Sequence, residues 1–373
     1  MKQKRIILSV TNDLVTDQRV HRSCLALMEA GYEVTLVGRR LRSSQPIQRP
    51  YRTHRMRLMF NKKALFYAEY NLRLFFLLLF SRADLYFAND TDTLLANYLA
   101  AKLRGKKLFF DSHELFPDTP ELVERERVRR VWQWLERKLI PRTDARCTVC
   151  HSCAEVLEQR YGLPFGVVRN VPLRSPQKAE PHRVGEPYLL LYQGALNLGR
   201  GIEETLAAMP HLPECRFLIA GIGDHYERLR QMAHHMGLDS QVKFLGRLPL
   251  EQLREVTLKA HLGLAILQDL GLSYRCALPN RLSDFVQAGV PTLATAFPEP
   301  QRIIEQYGVG TLIPVGLEKD PLQLATAIRA ALQQWDSVAP DERRSRFERA
   351  ANDLCWENDK KTLVNAINRL FQS

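Results

Sequence analysis

Leu278-Pro279-Asn280-Arg281-Leu282-Ser283-Asp284-Phe285-Val286-Gln287-Ala288-Gly289-Val290-Pro291 packs a helix start, an apolar helix face and a helix stop into fourteen positions. Pro279 suits an early helical position, which leaves free N–H groups aimed outward at an anion. Gly289 suits the left-handed residue that closes a helix, and Pro291 opens the next strand. Asp284, more than a turn inside, is placed to reach paired ribose hydroxyls. A plain amphipathic helix would explain Leu282 and Phe285 but would leave the start and stop signals as coincidence.

Outward from this stretch, short β-branched and aromatic runs alternate with amphipathic segments of helical length, the signature of βαβ units and parallel sheets. Strands are expected near Arg5–Val10, Glu33–Gly38, His54–Met59, Asp84–Ala88, Lys107–Asp111, Ala145–Cys150 and Gly166–Arg169. The alternation breaks between Val171 and Pro187, where Pro172, Pro176, Pro181, Gly185 and Pro187 fall among polar residues, and then resumes. Further strands are expected near Tyr188–Tyr192, Arg216–Ala220, Val242–Leu245, Leu262–Ile266 and Thr292–Ala294. The fold class is therefore α/β, with two Rossmann-like doubly wound domains facing across a cleft. The expected division is 1–172, a linker over 173–187, a second domain over 188–354, and a C-terminal helix over 355–373 returning to the first domain.

The 373 residues exceed what one hydrophobic core usually serves, and 45% hydrophobic content supports burial in two. The net charge of +12 sits entirely in residues 1–170. A basic first half beside a neutral second suggests an anionic partner such as a membrane surface or lipid pyrophosphate, against a merely soluble basic surface. Nucleic acid ranks last, since the basic residues scatter over different elements without a reading motif. Met1-Lys2-Gln3-Lys4-Arg5 leads straight into a short strand-like run rather than a signal peptide, so a cytoplasmic location is expected. Leu72 to Phe80 includes Arg73 and covers about half of the ~20 residues a spanning helix needs, so it reads as a buried or at most interfacial helix. Cys147, Cys150, His151 and Cys153 resemble a metal knuckle, but ligands crowded at one strand end make poor tetrahedra. The preferred reading is a strand running into a helix capped near Ser152, with no metal.

Polar strand ends supply the candidate acceptor site. The first strand runs into Thr11-Asn12-Asp13-Leu14-Val15-Thr16-Asp17 without a glycine, which argues against a dinucleotide there. Asn12, Asp13 and Asp17 could bind hydroxyls, although Asp17 equally suits a helix N-cap. Asp90, His113 and Glu114 follow two further strands, and a doubly wound sheet brings such ends to one crevice. In the second half, Tyr192-Gln193-Gly194-Ala195-Leu196-Asn197-Leu198-Gly199-Arg200-Gly201 joins a strand to a helix. Its glycines, helix N-terminus and Arg200 suit a diphosphate.

The TNDLVTDQRV start, the FAND and DSHELF strand ends, YQGALNLGRG, FLIAGIGD, VKFLGRLP and PNRLSDFVQAGVP, in that order, resemble glycosyltransferase family 4 of the two-domain GT-B type. The resemblance covers nearly the whole chain, including Trp356 near the final helix, and PNRLSDFVQAGVP is its strongest part. It implies a UDP- or GDP-sugar donor in the second domain, bound by Gly194, Gly201, Gly221, Gly223, Gly246, Arg247, Leu248, Leu278, Pro279, Asn280, Arg281 and Asp284. Arg200 would face the diphosphate and Asp284 would stand at the family's ribose-binding Glu. His113 matches the acceptor-side His, giving His113, Arg200 and Asp284 as catalytic candidates. Retention of anomeric configuration is implied, without metal or cofactor, on a glycan or lipid-linked acceptor; the basic first half adds the expectation of a position at the inner face of a membrane. Two departures stand out: Ala195 occupies a position where many members carry arginine, and Cys276 and Ala277 replace an acidic residue. Alternatives are a nucleotide-sugar epimerase or hydrolase of the same fold, and a catalytically silent nucleotide-binding module.

Overall fold

The computed structural model describes residues 3–15, 17–176, 178–179, 182 and 185–372, so that Met1, Lys2, Thr16 and Pro181, quoted above, lie outside it. Its contacts divide the chain into two compact units, residues 1–170 with 359–373, and residues 171–358.

In the first unit the strands are β1 (Arg5–Asp13), β2 (Glu33–Arg40), β3 (Arg52–Arg57), β4 (Leu85–Asn89), β5 (Lys107–Ser112), β6 (Ala145–Thr148) and β7 (Gly166–Val167). They pair in parallel in the order β3-β2-β1-β4-β5-β6-β7. The central strands are covered on both faces: every residue of β4 is buried, as is Ile6 through Thr11 of β1. Continuous apolar runs are what a parallel sheet under helices on both faces requires. The reversal of order at β1 and β4 puts their carboxyl ends, with Asn12 and Asp90, beside a natural crevice.

The second unit repeats the plan with β8 (Tyr188–Gln193), β9 (Cys215–Ala220), β10 (Val242–Gly246), β11 (Leu262–Ala265), β12 (Thr292–Thr295) and β13 (Gly310–Ile313), in the order β10-β9-β8-β11-β12-β13. All expected strands are present within a few residues. β13 is additional; at four residues, three of them only partly buried, it lacks the apolar run that marks the others. The segment expected to be a linker lies, where described, against this second unit. Val171 is fully buried, the Ala179 N–H donates to the Ala288 carbonyl at 2.6 Å, and Lys178 donates to the Gln287 carbonyl at 3.0 Å.

The last helix, Trp356–Gln372, packs its C-terminal part on the first unit. Asp359 receives Arg169 at 2.9 Å, Lys360 donates to Glu29 at 2.7 Å, and the Tyr32 hydroxyl donates to Asn368. Cys147, Cys150 and Cys153 are all buried where β6 leads into the helix His151–Tyr161. That helix is entered through Cys150 without a side-chain cap, two positions earlier than Ser152. Among the described residues no group of three His, Cys, Asp or Glu side chains is placed to hold a metal. No described helix is long and apolar enough to cross a membrane.

One buried ion pair ties the first sheet together. Arg19, on helix α1 (Gln18–Glu29), meets Asp111 at the end of β5 through Nη2 at 2.7 Å and Nε at 3.2 Å, and its Nη1 donates to the Val168 carbonyl at 2.9 Å. Removing one partner leaves the other charged in a dry site, which typically costs about 3–5 kcal/mol. Arg19→Met is therefore expected to lower unfolding free energy by roughly that amount, and denaturant titration reads it directly. A loss below about 1 kcal/mol, the range of an exposed pair, would show that the pair is hydrated in solution.

Candidate functional site

In the second unit the loops after β8, β9 and β10 are laced together by their main chains. The Gly194 N–H donates to the Ala220 carbonyl at 2.9 Å, Leu196 N–H to Ile222 at 3.1 Å, and Gly221 N–H to Gly246 at 2.8 Å. These turns need glycine. A Cβ on Gly221, at φ +149°, would stand 1.8 Å from the Gly194 carbonyl oxygen, and one on Gly223 would stand 2.5 Å from the Leu196 backbone. Gly201, at φ +74°, begins the following helix with Ile266 directly behind it. The expected donor glycines 194, 201, 221, 223 and 246 thus belong to one three-loop assembly.

Two arginines reach this assembly, and neither forms an ion pair among the described residues. The Arg281 guanidinium lies 4.6 Å from the Tyr192 ring centre and within 3.7 Å of where a Gly194 Cβ would sit. The Arg200 guanidinium lies 4.8 Å from the Tyr274 ring centre. Tyrosine faces hold a cation through the ring quadrupole without neutralising it. Burial disfavours the charged form of Arg281 and the nearby Arg200 adds to that, together lowering its pKa from the usual arginine value. The Nε atoms of both arginines are buried without a hydrogen-bond partner. An approaching anion would relieve both strains at once.

Asp284 sits one turn past Arg281 on the helix Asn280–Ala288 and is partly buried. Gln193 Nε2 donates to its Oδ2 at 2.9 Å, while the Thr257 hydroxyl donates to Gln193 Oε1 at 2.8 Å. This relay fixes the carboxylate of Asp284 and the amide orientation of Gln193. Pro279 takes the position just before the helix rather than inside it, and Gly289 closes it in the left-handed conformation at φ +74°. Asn280 and Arg247 are exposed; Leu248 and Leu278 are packed against separate apolar clusters of the unit.

In the first unit, Asp90, His113 and Glu114 share one neighbourhood. His113 Nε2 lies 3.2 Å from Asp111 Oδ2. Burial opposes a charged His113, yet the Asp111 carboxylate outweighs it and raises the imidazole above its usual value. Burial likewise opposes ionised Asp111, but Arg19 and then His113 hold it well below the usual carboxylate range. Asp90 is pushed well above that range by burial, with Glu114 and Asp92 adding to the shift and His113 opposing it. Asp92, whose Oδ2 accepts from Thr11, rises to about 6 for the same leading reason. Glu114 is exposed and His113 half-buried, so this constellation opens to solvent.

The remaining first-unit candidates are engaged locally. Asp17 caps α1 by accepting from the Val20 N–H at 3.0 Å, and Asn12 Nδ2 donates to its other oxygen at 3.0 Å. Asp13 is bound by Arg55 at 2.9 Å and by the Ser44 hydroxyl. Asn12 remains exposed.

Residues 17–172 match the model of Glycosyltransferase Family 4, and residues 174–353 match that of Glycosyl transferases group 1. A phosphatidyl-myo-inositol mannosyltransferase of Mycobacterium leprae is 27% identical over 220 residues, covering 57% of this chain and 53% of that protein. The first part of the chain is thus a family 4-like glycosyltransferase segment and the second a group 1 segment, on a fold of the GT-B type. The sucrose-phosphate synthase of Thermosynechococcus elongatus superposes with a TM-score of 0.80 at 18% identity, over 99% of this chain and all of that one. Anabaena HepE in complex with UDP-glucose superposes at 0.73 and 14% identity, over 98% and 99%. The chain spans about a third to a half of the length of the curated relatives it matches.

Arg19, Asp111 and Asp92 in this chain, like Tyr192, Gln193, Thr257 and Tyr274, escape a reading by motif. Their roles come from partners distant in sequence, Asp111 lying 92 positions from Arg19 and Asp284 91 from Gln193. Only the D-Q-R and D-S-H strings flag the first two.

The imidazole gives a pH test. A raised folded-state pKa means that His113 adds stability below its unfolded value, and this is lost as pH rises through the folded value. An NMR titration of His113 should give a midpoint above that of an ordinary histidine, with stability falling across the same interval. A midpoint below the ordinary value would show that desolvation, not Asp111, governs this residue.

Proposed function

We propose that the enzyme transfers a sugar from a nucleoside diphosphate donor to a glycan or lipid-linked saccharide, with retention of anomeric configuration and without a metal ion. The observation that carries the reading is the pair Arg200 and Arg281, two guanidiniums held by tyrosine faces and left without carboxylate partners beside the three glycine turns. As the sugar–phosphate bond breaks, negative charge grows on the leaving diphosphate. Preorganised cations and main-chain N–H groups stabilise that charge more than the ground state, which lowers the barrier. Two arginines supply what a divalent cation supplies elsewhere.

Within this reading Arg281 takes over the duty of the arginine that Ala195 lacks, since its Nη1 lies 3.7 Å from where a Gly194 Cβ would stand. Asp284, oriented by Gln193, would accept the two ribose hydroxyls; its shorter reach than glutamate is offset by that fixed orientation. His113, positioned by Asp111 and favoured as imidazolium, would donate to a sugar hydroxyl during transfer, and Asp90 and Glu114 would accept from acceptor hydroxyls. The mannosyl relative from M. leprae is named for a phosphatidylinositol acceptor, which favours a lipid-borne acceptor and a peripheral position on a cytoplasmic membrane face.

Thermal shift with UDP, GDP, ADP and dTDP tests the donor site, because a ligand bound only by the native state adds about 2.7 kcal/mol at a hundred times its Kd. One base should shift the midpoint strongly, with EDTA making no difference. Arg281→Ala and Arg200→Ala should each weaken that binding by about tenfold to a hundredfold, the worth of a charge-assisted contact of about 1.5–3 kcal/mol, and Asp284→Ala by less. No shift from any diphosphate, or a shift that needs magnesium, overturns the reading. Conversion of the nucleotide sugar in the absence of any acceptor would instead identify an epimerase or hydrolase.

A further inference from the structure

Helix α2 (Lys63–Phe80) buries Phe66, Tyr70, Leu74 and Leu78 against its own unit and leaves a second apolar stripe uncovered. Leu65, Leu72, Phe76 and Phe80 are 58%, 59%, 50% and 79% exposed. At about 100° per residue they fall within roughly 80° of arc, and they extend over about 22 Å of helix. Leu103, 66% exposed, ends helix α3 (Thr91–Arg104), which packs beside α2 and whose Arg104 donates to the Leu79 carbonyl at 2.8 Å. Met59, 74% exposed, precedes the stripe at its other end.

We infer that this stripe is a docking surface for an anionic lipid bilayer, α2 lying in the plane of the headgroups with its exposed leucines and phenylalanines immersed. The charges around it are predominantly positive. Lys62 and Lys63 stand at its start, Arg73 midway, and Arg82, Lys102 and Arg104 at its end. The only acid on the helix, Glu69, is already neutralised: Arg73 bridges it at 2.8 Å, and the N–H groups of Met59 and Phe60 donate to it at 2.9 Å. Just beyond Phe80, Lys4, Arg5, Arg82, Arg104 and Lys106 line a hollow of about 260 Å³. Its acid, Asp84, is occupied by the Arg5 N–H at 3.0 Å and by Lys106. That hollow suits a lipid phosphate at the depth where headgroups would lie.

A protein partner fits these features less well, because protein interfaces are depleted in lysine and set opposite charges across from one another. An extended, predominantly cationic rim around an apolar stripe complements a sheet of anionic headgroups. The Asn71 side chain on the same helix donates to the Asp92 carbonyl at 2.8 Å, so docking would bring the edge carrying Asp90 and His113 close to the bilayer. The surface extends the proposed membrane position, and only its purpose rests on that reading.

Sedimentation of the full chain with phosphatidylcholine vesicles, with and without phosphatidylglycerol, tests the inference. Binding is expected only with phosphatidylglycerol, falling as salt rises. Phe76→Glu/Phe80→Glu, which alters exposed positions alone, should lower it about tenfold or more while leaving thermal midpoint and nucleotide shift unchanged; Arg82→Glu/Lys102→Glu should do the same. A Phe76→Trp variant should blue-shift its emission on adding anionic vesicles. Absence of binding at low salt, equal binding to both vesicles, or retention by the phenylalanine variant overturns it. So does self-association in solution that this variant abolishes in the absence of vesicle binding. Since nucleotide shift is read separately, loss of the donor reading and loss of the docking surface cannot be confused.

Discussion

A guanidinium lodged against an aromatic ring keeps its full charge, whereas one lodged against a carboxylate gives it up. In the second unit Arg200 and Arg281 are of the first kind, resting on Tyr274 and Tyr192. Two like charges near each other in partial burial repel and are poorly solvated, a state that the native fold must sustain by other interactions. Here it is sustained by packing: Phe285, Leu282 and Val286, on the helix of Arg281, are fully buried, and the Gly194 turn comes close to the Arg281 guanidinium. The site is thus preorganised for negative charge before a ligand arrives, which is the condition under which electrostatics speeds group transfer.

The first unit spends its deepest arginine the opposite way. Arg19 is locked bidentate onto Asp111, and Asp111 in turn orients His113. The pair is neutral overall, so its effect outward is directional: Asp111 engages Nε2 of the imidazole and favours its protonated form. Three neighbouring acids, Asp90, Asp92 and Glu114, surround this point, and burial favours the neutral forms of the first two. A cluster of donors and acceptors results, in contrast with the ring-held cations of the second unit. The two halves share a topology and differ in how they dispose of arginine.

Much of this was legible in the order of residues because it depends on local rules. The stop at Gly289, the cap at Asp17 and the glycine turns after β8 and β9 each follow from backbone geometry that one residue type satisfies, and the structure places them accordingly. Alternating apolar runs located the strands for the same reason, and β13 slipped through because its burial is partial. What no local rule carries is partner choice across the sheet. That Asp13 is bound to Arg55, that Gln193 orients Asp284, and that Arg281 rather than a residue at 195 reaches the Gly194 turn are tertiary facts. The exposed side of α2 belongs here too, since an apolar run declares that a helix buries something but not which of its faces is covered.

Asp90 shows most sharply how strain and site coincide. Its backbone, at φ +65° and ψ +164°, lies where glycine alone is comfortable, at a cost of about 1–3 kcal/mol. Several bonds hold it there. Its N–H donates to the Asp111 carbonyl at 2.8 Å, the Asn89 side chain before it donates to Ser9, and its own carboxylate accepts from the Thr91 N–H. A glycine at this position would relax the chain, so the fold tolerates the strain for the sake of the side chain. That carboxyl, whose neutral form burial favours and which lies near enough to His113 to feel its charge, is the kind of group that in its neutral form can both donate to and accept from a hydroxyl. The strain just after β4 and the charge frustration around Arg281 are therefore two instances of one pattern, in which stability is given up at the places where the proposed function puts a substrate.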